Sequence, residues 1–144
     1  MPRSSSRITI LDPSLIILTI EKLLEEGKLT EEVCIRRALS ALFFALFNYW
    51  SAKKYESGNR GKGPCQDQWS HSTFIGEMLS KGLDQQIRYL TGYRVAVDHY
   101  TLNPTIVTPY DFPQQIKCHI SSGVLKRAIE CAKELYDVLR QNQN

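Results

Sequence analysis

The chain has 144 residues, which fits one domain and is long enough for a real core. Apolar residues make up 42% and charged residues 23%, an ordinary soluble balance. The formal charge of +3 is mildly basic, so it permits a nucleic-acid or acidic partner without requiring one. The longest apolar-rich run, Ala38 to Trp50, is about 13 residues and includes Ser40 and Asn48, too short to span a bilayer. Four cysteines (Cys34, Cys65, Cys118, Cys131) form no CxxC pair, and Cys118 beside His119 has no second pair to complete a metal site. Reduced thiols, no metal or cofactor, no membrane association and a cytoplasmic setting are the expectation. Arg3 and Arg7 precede an apolar stretch, but Asp12-Pro13 and the charges that follow argue against a leader peptide.

Residues 1–11 read as a polar lead-in followed by a short Ile/Leu segment. Asp12-Pro13 then supplies an N-cap and a proline at the first helical position. Leu15, Ile16, Leu18, Ile20, Leu23 and Leu24 form a helical stripe that Gly27 ends.

Thr30 is the expected cap of a second helix that runs to about residue 54, with Glu31 and Glu32 in its first turn. From Val33 to Trp50 this helix is apolar nearly all round, which predicts the centre of a bundle. Its few polar members, Arg36, Arg37, Ser40 and Asn48, must meet buried partners or look into a cleft. Residues 55–68 carry three glycines and a proline and read as a long connector. No GxxxxGK[ST] phosphate loop is present in it.

A shorter third helix starts near Ser70–Ser72 and stops before Gly82. Asp84 is expected to cap the fourth, which carries Tyr93-Arg94-Val95-Ala96-Val97-Asp98-His99-Tyr100 in its last turns. Prolines at 104, 109 and 113 keep the next segment from being regular helix. The final helix is clearest from residue 122 to about 140; an earlier start near Pro113 is the alternative. No segment alternates with period two, and no repeat is evident. The fold class is therefore all-α: an antiparallel up-and-down bundle of four to five helices, one domain over 1–144 with its ordered core at about 12–140.

The Tyr93–Tyr100 stretch is the densest cluster of chemically able side chains. On helical geometry Arg94 and Asp98 are i,i+4 neighbours, whereas residues five apart point about 140° from each other. Arg94 and His99 cooperate only if the helix ends or bends near Asp98. In that case a fixed cation and a group able to move a proton make a kit for phosphate chemistry.

Two blocks carry a family resemblance: residues 36–48 (RRALSALFFALFN) and Tyr93-Arg94-x-x-Val97-Asp98-His99-Tyr100. Over roughly residues 12–140 the chain resembles the HEPN superfamily of small helical domains, including the stand-alone branch related to the sacsin C-terminal domain. The resemblance implies binding of RNA or nucleotide. In active members it implies metal-independent RNA cleavage to 2′,3′-cyclic phosphate and 5′-hydroxyl ends. Carried over, Arg94 would stabilise the phosphoryl group and His99 would act as general acid or base. Asn48, Asp98 and Tyr100 would line the substrate cleft. The likeness further implies a homodimer with the motif ends facing each other. In the toxin–antitoxin branch it implies a minimal nucleotidyltransferase partner. Active members usually have a polar residue after the arginine, where this chain has Val95. The toxin branch has a tyrosine two residues after the histidine, where this chain has Thr101. A ribonuclease, a non-catalytic module that binds nucleotide or docks a nucleotidyltransferase, and a dimeric scaffold all remain open at this point.

Overall fold

Asp12 accepts a 3.0 Å hydrogen bond from the Ser14 N–H, and Pro13 takes the first helical position, so the chain enters helix α1 (Pro13–Glu25) as its sequence dictates. The computed structural model describes residues 11–58, 70–109 and 114–141. Gly27, at φ +70°, turns the chain out of α1 in the left-handed conformation that favours glycine. Only part of the expected stripe faces inward. Of its members Ile20 is buried, whereas Leu15 and Leu18 are 58% and 55% exposed on the outer side, and Ile17, outside the expected stripe, is buried instead.

Helix α2 (Glu32–Glu56) begins one residue later than expected. Glu31, not Thr30, occupies the N-cap and makes no side-chain capping bond. Ile35, Leu39, Leu42, Phe43, Leu46 and Trp50 are buried, and α2 touches all four other helices, so it is the central element. One face stays open. Val33, Arg37 and Asn48 are exposed and Ala41 and Phe44 half-buried, a set that recurs at helical spacing along one side of α2.

Helix α3 (His71–Ser80) is capped by Ser70, whose hydroxyl accepts from the Thr73 N–H at 3.2 Å. Phe74, Ile75 and Met78 anchor it in the core. Helix α4 (Asp84–His99) follows after a short turn. Leu83 takes its N-cap position because its side chain is held in the core, which leaves Asp84 as the first helical residue rather than the cap. There its carboxylate suits the positive end of the helix dipole.

A two-stranded antiparallel hairpin, β1 (Thr105–Val107) and β2 (Ile116–Cys118), is the one addition to the helical expectation among the described residues. Thr105 pairs with Cys118 and Val107 with Ile116. Gly92 on α4 allows the close approach: a Cβ there would stand 3.3 Å from Ile116 Cδ1. Helix α5 (Ser122–Gln141) starts at its clearest sequence boundary, because the earlier residues are spent on β2. It buries Leu125, Ala128, Ile129, Ala132 and Leu135. At its far end Tyr136 donates to Asp12 and Lys133 to Glu21, each at 2.6 Å, which ties α5 to α1.

Over the described residues the architecture is an all-α bundle of five helices with a small hairpin. Among the described residues no helix is long and apolar enough to cross a membrane. Helix α2 takes Tyr55 and Glu56 from the start of the expected connector; the rest of the connector from residue 59 on, with Cys65, the lead-in up to residue 10, and Pro113 lie outside the described residues.

Candidate nucleotide-binding face

Four of the five sequence-derived site residues sit on the last turns of α4 or just beyond, and the fifth, Asn48, lies exposed on the open side of α2. Helix α4 continues unbroken through His99, with Tyr100 as its extended C-cap. Arg94 and His99 therefore leave the helix about 140° apart. Arg94 turns onto α2: its guanidinium carbon is 5.2 Å from the centre of the Phe43 ring and 6.0 Å from that of Phe44. At these distances the cation is held against the negative faces of the rings. His99 is exposed. Within one chain the fold does not bring the two together.

The expected Arg94–Asp98 neighbour contact gives way to contacts between helices. Asp98 accepts from Arg37 Nη2 through Oδ1 and from the Ser40 hydroxyl through Oδ2, both at 3.2 Å. Ser40 is a buried polar residue of the central helix, and Asp98 is the partner its burial demands. Arg37 is 63% exposed beside it, so this ion pair lies at the rim of the open α2 face.

Arg36 meets the end of α4. Its Nη1 donates to the carbonyl oxygens of Val97 at 3.2 Å and Tyr100 at 2.7 Å, and its Nε to Glu32 at 2.9 Å. The last carbonyls of a helix have no partner within it, and a fixed guanidinium satisfies them. Tyr100 is thereby a half-buried residue positioned through its backbone. Asn103 secures the chain beyond it. Its amide donates to Glu32 Oε1 and to the Ile120 carbonyl, each at 3.0 Å, and its oxygen accepts from the Ile120 N–H at 2.8 Å. The Glu32 carboxyl is held below its ordinary value, first by the Asn103 hydrogen bond and then by that of Arg36.

No family model, curated protein or solved structure matches the chain. The functional reading accordingly rests on the residues themselves and on what their geometry allows.

His71 belongs to no motif of the sequence. Its ring lies 5.3 Å from Phe43, 5.5 Å from Phe44 and 4.5 Å from Phe47, edge-on to each. Phe43 and Phe44 thus touch both His71 of α3 and Arg94 of α4. No spacing along the chain signals this meeting, because it is made by two helices docking on either side of α2. Cys118 and His119, the other suggestive pair, do not assemble a metal centre. Cys118 is buried, burial pushes its thiol up to about 11, and no group of three or more His, Cys, Asp or Glu side chains converges among the described residues.

Proposed function

We propose that the chain is a HEPN-like domain that binds RNA or a nucleotide along the open face of α2, with a phosphate held at Arg94. The observation that carries this reading is the Arg94 guanidinium set against Phe43 and Phe44, on the helix that also exposes Arg37 and Asn48. Cations fixed beside aromatic rings suit single-stranded nucleic acid, which offers phosphates to the one and bases to the other. Fluorescence anisotropy with a labelled single-stranded RNA tests it. Binding should weaken with salt and fall on Arg94→Ala, and nucleotide should raise the melting temperature. A dimeric scaffold, or a module that only docks a nucleotidyltransferase, gives neither response.

Exposure of His99 at the tip of α4 favours a second reading, a metal-independent endoribonuclease with a composite cleft. This reading requires a homodimer whose α4 ends face each other, with His99 of one copy brought to the Arg94 side of the next. This reading predicts cleavage that persists in EDTA, leaves 2′,3′-cyclic phosphate ends, and disappears in both Arg94→Ala and His99→Ala.

A further inference from the structure

We propose that the outer face of α1 is a self-association surface, on which a second copy of the chain packs its own α1 antiparallel. This face is separate from the α4 ends, and the proposal is independent of the RNA-binding reading above.

Helix α1 carries apolar side chains on two opposite sides. Ile17 and Ile20 are buried on the side that packs against α2 and α5. At about 100° per residue, Leu15 and Leu18 stand about 160° round the helix from them. These two leucines are 58% and 55% exposed, and Leu11, 59% exposed, precedes the cap at the same end. A helix at the edge of a bundle ordinarily presents polar residues on that side. One exposed leucine is commonplace, but here they form an apolar ridge along the helix.

The charges at the end of the ridge decide what covers it. Leu15, Leu18, Lys22 and Glu25 follow the alternating three-and-four spacing of a coiled-coil seam, and all four are exposed. A second α1 laid parallel would set Lys22 against Lys22 and Glu25 against Glu25. Laid antiparallel about a two-fold axis midway between residues 15 and 18, each Leu15 meets the partner's Leu18. The same axis brings Lys22 level with the partner's Leu11 and Asp12. Asp12 is exposed, and its hydrogen bonds from the Ser14 N–H and the Tyr136 hydroxyl both fall on Oδ1. A carboxylate has acceptor positions to spare for an ammonium beyond those two. The face is thus self-complementary, as a two-fold interface must be. With so short a ridge the interface is small, and the pair it forms is weak.

Sedimentation velocity of the full-length chain tests this, at loadings from roughly 5 to 500 µM. The parent should pass from monomer to dimer within that range. Leu18→Lys sets an ammonium against the partner's Leu15 and should remain monomeric throughout, with the melting temperature of the dilute parent, because the site is exposed. Lys22→Glu brings a carboxylate level with the partner's Asp12. It should raise the dissociation constant about tenfold, two contacts being lost in each dimer, and by less as salt is added. In a parallel pair the same change exchanges one like-charge contact for another and leaves the constant where it was. A parent that stays monomeric overturns the proposal; a lowered melting temperature in Leu18→Lys would then show that the ridge is covered from within its own chain. A dimer that survives Leu18→Lys also overturns it, since another face must hold that dimer. A dimer lost in Leu18→Lys but indifferent to Lys22→Glu overturns the antiparallel arrangement.

Discussion

The Arg36 guanidinium donates a 2.7 Å hydrogen bond to the Tyr100 carbonyl and so closes the C-terminal end of α4 from the neighbouring helix. Its side chain is only 12% exposed, and the Glu32 carboxylate holds its other side at 2.9 Å. The favourable cation at the end of α4 is thus supplied chiefly by α2 rather than by His99 of α4 itself. Arg36→Ala should destabilise the fold by about 2–3 kcal/mol in urea unfolding, the range for losing charge-assisted bonds to backbone carbonyls. Arg36→Lys should recover less than half of that, since an ammonium cannot reproduce the planar fork.

Asp98 and Arg37 invite a different test. With Arg37 63% exposed and the Asp98 side chain 19% exposed, their pair contributes less than about 1 kcal/mol to stability. Its functional consequence is larger, because the carboxylate competes with any phosphate for Arg37. Asp98→Asn should tighten RNA binding and steepen the log–log salt dependence by about one. Arg37→Ala should do the reverse. Anisotropy over a salt series reads both.

Acid should unfold the protein through carboxyls bonded in the native state. Burial raises the affinity of Glu77 for a proton, but hydrogen bonds from Lys54 at 2.8 Å and from Trp50 outweigh it and leave the group below its ordinary value of 4.5. Asp12 is lowered from 3.8, chiefly by the Tyr136 hydroxyl. A lowered native value means that the unfolded chain binds protons first. The stability these groups supply is therefore complete above their ordinary values and drains away as pH falls through the native ones. Glu77→Gln should flatten this acid limb in thermal melts between pH 5 and pH 2, in steps of about one unit. Tyr136 works in the opposite sense. Burial, then the bond to Asp12, pushes it up to about 12, so its contribution is complete below 10 and fades as pH rises toward the native value.

Asn103 should prove costly to replace. Its amide is the hydrogen-bonding partner of both the N–H and the carbonyl of buried Ile120. Asn103→Ala leaves those groups unsatisfied and should cost about 2 kcal/mol by denaturant titration. Asn103→Asp restores only the acceptor, brings a second carboxylate to Glu32, and should recover little.

The bundle was legible because its signals are local. Asp12-Pro13 and Ser70 start helices where they stand in the sequence, and Gly27 and Gly82, at φ +70° and +78°, follow their ends. The long apolar run marked α2 as central, and burial of Ile35 through Trp50 follows from it. What escaped was decided by tertiary contact. Strands of three residues are too short for period two to register, so the hairpin left no pattern. Asp84 loses the cap to Leu83 because core burial outweighs capping preference there. In the candidate site, motif spacing found Arg94 but not His71, 23 positions away along the chain, whose neighbourhood exists only after α3 and α4 dock on α2.

Asn103 also determines what happens when the hairpin moves. The amide that holds Ile120 also holds Glu32 at the first turn of α2, 71 residues earlier. The β1–β2 ladder is therefore coupled to the central helix as well as to its own loop, and an opening that frees one strains the other. The hairpin amides and those at the start of α2 should accordingly exchange hydrogen as a single cooperative unit, although 3-residue strands on their own would fray independently.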